Sequence, residues 1–140
     1  METNPLIIKR IYNAPIEKVW DALTNKDQMK KWYFDVPDFK PETGCKFHFN
    51  AGGNGKTFLH LCEVTAVTPL ERISYTWKYD NVPGESEVTF ELSKQDKHTT
   101  LLTLTHTGLH SFPQNKDFQA TNFVKGWTYF TEEALPNFLK

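Results

Sequence analysis

Asn50-Ala51-Gly52-Gly53-Asn54-Gly55-Lys56-Thr57 comes within one residue of a phosphate-binding loop, with Asn50 standing where the first glycine belongs. Such a loop works because a helix follows it and aims its first N–H groups at the phosphates. Here Thr57 to Val67 reads as a strand, so the glycine-rich run is expected to be a hairpin tip and no nucleotide site. His60 and Cys62 stand two apart on one face of that strand, a spacing that metal ligands use. Two ligands do not make a zinc site, and no Cys-x-x-Cys pair supplies the rest. His106 and His110 have the four-residue spacing of a helical metal pair, but Gly108 between them argues against a helix. No metal is expected.

His106 is the more informative histidine. It continues the face of Leu102 and Leu104, which the alternation assigns to the interior. There it is either a hydrogen-bonded core residue or a polar handle inside a cavity, and a buried imidazole needs a partner in both cases. Tyr75 and Tyr79 pose the same alternative with their phenolic groups. Glu87 and Glu91 fall on the polar face of their strand and read as solvated charges. No Gly-x-Ser-x-Gly elbow occurs, and neither Cys45 nor Cys62 has an activating neighbour in sequence. No catalytic residue and no cofactor are expected.

The elements that must position these groups follow from period. Leu6 to Tyr12 is short, β-branched and bounded by Pro5 and Asn13, a strand. Ile16, Val19, Trp20 and Leu23 then mark an amphipathic helix with Pro15 suited to its first turn. A second short helix is predicted over Lys26 to Trp32, capped by Thr24 or Asn25, with Met29 and Trp32 buried. From Lys46 the period falls to two. Phe47 and Phe49 share one face, as do Ile73, Tyr75, Trp77 and Tyr79, then Val88, Phe90 and Leu92, then Leu102, Leu104 and His106. Clean alternation implies antiparallel strands with one wet face. Six strands result, five of them in a meander. Phe123, Trp127, Phe130, Ala134 and Phe138 finally form one stripe along a long C-terminal helix, with Gly126 allowing a close backbone approach and Pro136 ending or kinking the helix near its last turn. A helix that apolar must lie on the apolar face of the sheet, an α+β layer architecture.

At 140 residues this is one domain, covering 1–140, large enough to fold without staples. The net charge of -1, with both signs mixed along the chain, gives no footprint for nucleic acid or an anionic membrane. The opening Met1-Glu2-Thr3-Asn4-Pro5 does not read as a signal peptide, and no apolar run approaches a membrane span, so a reduced cytoplasmic protein is expected. Aromatic residues make up 14% of the chain, and bulky rings leave awkward spaces between them, so a hollow core is one outcome.

Three segments carry a resemblance. The run from Asn13-Ala14-Pro15 through Val19-Trp20-Asp21-Ala22-Leu23-Thr24 is similar to the opening motif of the activator of heat-shock protein 90 ATPase homologue (C-terminal-like) family, within the START-like, birch-pollen-allergen-like superfamily. Glu63 to Trp77, with Thr68-Pro69 between two strands, resembles its central signature, and Gly126-Trp127 its usual Gly-Trp in the last helix. Asn25-Lys26 replaces the Asp-Pro of many relatives, and Thr43-Gly44-Cys45 their Gly-Gly. The resemblance implies a helix-grip fold: a curved six-stranded antiparallel sheet around a long C-terminal helix, two short helices between strands 1 and 2, and a cavity between sheet and helix.

Under that implication the ring-rich inner face becomes a candidate cavity lining, formed by Trp32, Phe47, Phe49, Tyr75, Trp77, Phe90, His106, Phe123, Trp127 and Phe130. Trp77 and Trp127 are placed at its wall. The stretch from Gly108 to Ala120 is either a lid over its mouth or an ordinary connection. The expected function is non-catalytic binding of a small hydrophobic or aromatic molecule. The family also holds co-chaperone domains, which implies a heat-shock protein 90 homologue as an alternative partner, and cyclase-like enzymes, in which His106 or a tyrosine would move protons.

Overall fold

A computed structural model of the chain describes residues 5–51, 57–113, 118 and 120–140. The first strand, β1 (Leu6–Tyr12), is followed by helices α1 (Ile16–Thr24) and α2 (Lys26–Trp32). Pro15 sits one residue earlier than its expected place: it is the N-cap of α1, extended at φ −63° and ψ 153°, and its carbonyl accepts the Lys18 and Val19 N–H groups. Asn25 caps α2, its Oδ1 accepting from the N–H groups of Asp27 and Gln28. The Trp32 indole donates 2.8 Å to the Ala22 carbonyl and so locks α2 against α1.

Five strands then run as a meander: β2 (Lys46–Ala51), β3 (Phe58–Thr68), β4 (Arg72–Tyr79), β5 (Ser86–Asp96) and β6 (Thr99–Thr107). The sheet is curved, wholly antiparallel and ordered β1-β6-β5-β4-β3-β2. Ala51 pairs with Phe58, so β2 and β3 are hairpin partners and no helix follows the near-phosphate-loop; its tip at 52–56 lies outside the described residues. A bulge between Val64 and Ala66 shifts the β3–β4 register and bends the strand. Side chains at alternate positions bury Ile73, Tyr75, Trp77 and Tyr79 on β4, and Val88, Phe90 and Leu92 on β5, as the period requires.

A continuous helical stretch over 120–139 covers this inner face in three parts: α3 (Ala120–Tyr129), a π-helical turn (Phe130–Ala134) and α4 (Leu135–Leu139). Pro136 does not end this stretch; its effect appears near the last turn, in the turn just before it. A proline ring crowds the carbonyl four residues back and supplies no N–H. The turn widens accordingly, and the Leu135 N–H bonds Phe130 O in place of Thr131 O. Residue 136 has no N–H to replace it. The Thr131 carbonyl is therefore left over inside the protein, and the Tyr12 hydroxyl donates to it at 2.6 Å. Widening also moves the buried face by one residue, so Thr131, Leu135 and Leu139 are buried while Phe130, Ala134 and Phe138 are half-buried.

Tyr12→Phe keeps the ring and orphans that carbonyl, so it is expected to cost about 1–3 kcal/mol in urea unfolding. A loss of a few tenths would mean that water satisfies the carbonyl.

Gly84, at φ +109°, has no room for a side chain: a Cβ there would strike the Ser111 carbonyl. The Ser111 hydroxyl accepts the Glu85 N–H at 2.9 Å, and the turn Leu109–Ser111 is thereby pinned to the start of β5. Phe112 is buried beyond it. Residues 108–113 are thus an anchored connection; 114–117 and 119, the rest of the candidate lid apart from Phe118 and Ala120, lie outside the described residues.

Candidate functional site

Sheet and helix do not meet along their whole length. A cleft of about 590 Å³ separates them at one end. On the sheet side, β3 contributes Phe58 and His60, and β4 contributes Trp77 and Tyr79. The helix contributes Phe123, Trp127 and Phe130, with Tyr129 at the rim and Asn122 and Lys125 as polar members. Phe34, from the segment after α2, closes one side, and Phe118 lies against Phe58 with ring centroids 5.1 Å apart.

Gly126 contributes bare backbone to the cleft wall. A Cβ built there meets nothing within 4 Å. The close backbone approach expected of this glycine is absent; it leaves open space instead.

Of the ten candidate lining residues, Trp77, Phe123, Trp127 and Phe130 come together at the cleft. The other six stand in the layer behind it. Phe49 stacks on His60 at 4.5 Å and on Phe34 at 4.1 Å. Phe47 meets Tyr75 edge-on at 5.1 Å, Phe90 meets Trp127 edge-on at 5.8 Å, and Trp32 stacks on Tyr33 at 5.0 Å. The Tyr75 hydroxyl meets that of Tyr33 at 2.8 Å, and burial raises both phenols well above their ordinary range.

His106 resolves to a hydrogen-bonded core residue. It is fully buried, and both ring nitrogens are engaged. The Trp127 indole, which can only donate, gives its N–H to Nδ1 at 2.9 Å. The ring proton must therefore sit on Nε2, where it donates to Ser86 Oγ at 2.7 Å; that hydroxyl in turn donates to the Trp77 carbonyl at 3.2 Å. The chain links the tryptophan of the helix wall to the tryptophan of the sheet wall. Burial holds the imidazole neutral, with its pKa lowered to about 3.

His60 does line the cleft. Its Nδ1 lies 2.9 Å from Phe58 O, and burial, partly offset by backbone hydrogen bonds, lowers its pKa to about 4. Tyr79 receives the Trp77 indole N–H at 3.0 Å; burial, partly offset by that bond, raises its hydroxyl to about 12. Cys62 is a buried thiol raised by burial and so stays protonated. Among the described residues no cluster of three or more His, Cys, Asp or Glu side chains could hold a metal, and no helix is long and apolar enough to cross a membrane. The arrangement can enclose rings and exclude water; it offers no activated nucleophile among the groups just described.

Phe34, Ala51, Phe58, His60, Asn122, Lys125 and Tyr129 were not expected at the site, whereas Phe118 belongs to the candidate lid. Of the unexpected residues only Phe34 carried a signal, as the third of three consecutive rings in Trp32-Tyr33-Phe34.

A family model described as Activator of Hsp90 ATPase homolog 1-like protein matches residues 13–140. The chain belongs to this family. Among solved structures, protein MLL2253 from Mesorhizobium loti is 30% identical to this Activator of Hsp90 ATPase homolog 1-like chain, with 97% of this chain and 96% of that one covered at a TM-score of 0.75. CalU16 from Micromonospora echinospora, at 23% identity and a TM-score of 0.74, covers 97% of this chain and has 76% of its own length matched. DynU16, from the dynemicin biosynthetic locus, is 22% identical with a TM-score of 0.76 over 98% of this chain and 47% of its own. The last two show a shared helix-grip fold alone. Among curated proteins no relative matches.

Proposed function

We propose that this Activator of Hsp90 ATPase homolog 1-like domain binds a small apolar, ring-bearing molecule without transforming it. The observation that carries this reading is the ring-lined cleft of about 590 Å³ between β3–β4 and the C-terminal helix, a size usual for small-molecule sites. The fold commonly holds hydrophobic ligands, and one structural neighbour, DynU16, comes from a biosynthetic locus. Binding without catalysis is favoured by His106, whose nitrogens are both occupied and whose proton is held away from the cleft. The chaperone-partner alternative rests on family membership, which is weak support for an activity.

Gly126 provides the test. Leucine at this helical position has space to enter the cleft, and replacing glycine inside a helix stabilises by about 0.5–1 kcal/mol. Gly126→Leu is therefore expected to melt no lower than the wild type. It should also bind the neutral probe N-phenyl-1-naphthylamine at least about tenfold more weakly, the equivalent of ~1.4 kcal/mol. A stable variant that binds the probe as the wild type does sinks the cleft as the site.

A further inference from the structure

Nine of the fourteen described residues on the cleft wall are Phe, Trp or Tyr, and the described lining carries one formal charge, the ammonium of Lys125. Among the described residues the ion pairs are Arg10–Glu132 and His48–Asp38, so no carboxylate of the described residues pairs with Lys125. Its side chain is exposed at the rim, where a lysine lays its apolar stem along the wall and keeps its charge in water. Flat ring faces and edges, such as those of Trp77, Trp127 and Phe130, gain most from another flat ring through offset and edge-on contact. An alkyl chain gains only buried area.

We propose that the cleft takes a planar aromatic acid, with its ring system against the Trp77–Trp127 wall and its carboxylate at the Lys125 ammonium. This rests on the ligand-binding reading above and adds the polarity of the ligand to it. A cationic ligand would meet Lys125 as a like charge. A neutral ring would bind by area alone and leave the ammonium unused. An aromatic carboxylate keeps its charged end at the wet rim, so it gains the ion pair without burying a charge.

Calorimetric titration with 2-naphthoate, 2-naphthamide and decanoate separates the possibilities. In the wild type, naphthoate is expected to bind about three- to fivefold more tightly than the isosteric amide, the upper range for an exposed ion pair. Lys125→Met keeps the apolar stem and should abolish that preference by weakening naphthoate alone. Equal binding of acid and amide in the wild type, or a preference that survives Lys125→Met, overturns the anion assignment while leaving the apolar cleft standing. Tighter binding of decanoate overturns the planar-ring assignment. Failure of all three probes overturns this inference and the ligand-binding reading together.

Discussion

His106→Ala is expected to destabilise the domain by about 3–5 kcal/mol in equilibrium urea unfolding. Two effects add. Removing a fully buried ring leaves a cavity in a core that relaxes only in part. The Trp127 indole N–H also loses its acceptor at a position closed to water, and Ser86 loses the ring proton. An orphaned buried donor alone costs about 1–3 kcal/mol. His106→Leu refills most of the volume and restores no bond, so it should recover the packing part and keep the rest. A loss below ~1 kcal/mol in the alanine variant would show that the network is not a structural pin.

Acid should act through the same ring and through His60. Both have folded-state pKa values, about 3 and about 4, below the ordinary histidine value. The unfolded chain therefore binds more protons than the folded one as pH falls below about 6.5. The stability held by these two neutral rings is complete above that value. It is lost as pH falls towards about 4 for His60 and about 3 for His106. Each ring contributes a slope approaching ~1.4 kcal/mol per pH unit, so the two together should remove about 4 kcal/mol between pH 7 and pH 5. That is a large share of a typical domain's stability of roughly 5–15 kcal/mol. Urea midpoints measured at half-unit intervals would show it, and His60→Phe should roughly halve the decline. A flat profile from pH 7 to 5 would mean that neither ring is held neutral by the fold.

The strands were readable because each has one wet face: Ile73, Tyr75, Trp77 and Tyr79 announce their side of β4 through the polar residues between them. Period two distinguishes inside from outside and nothing finer. Phe47 and Trp77 look alike in sequence, yet one packs against Phe39 and Tyr75 while the other faces the cleft. The same limit applied to His106, whose partners Ser86 and Trp127 lie 20 and 21 residues away and become neighbours only after β5, β6 and α3 are assembled. Phe34 sits in an irregular segment with no period to read. On the C-terminal helix the regular 3.6-residue stripe is shared after Trp127: Phe130, Ala134 and Phe138 stay half-buried against the core, while the widened turn before Pro136 brings Thr131, Leu135 and Leu139 fully inward.

Chain order gives the helix over 120–139 one more consequence. All six strands precede it, and neighbouring strands of the β2–β6 meander pair through local contacts, which form readily. During synthesis, at about 5–20 residues per second, the sheet can assemble while its aromatic face still has no cover. Tyr12 is made 119 residues before the Thr131 carbonyl to which its hydroxyl donates. For the seconds in between, the nascent domain displays the rings of Trp77, Tyr79 and Phe90 to whatever cellular factors attend the ribosome's exit, and the same surface that later forms the cleft's sheet wall is at that moment a site for non-specific association.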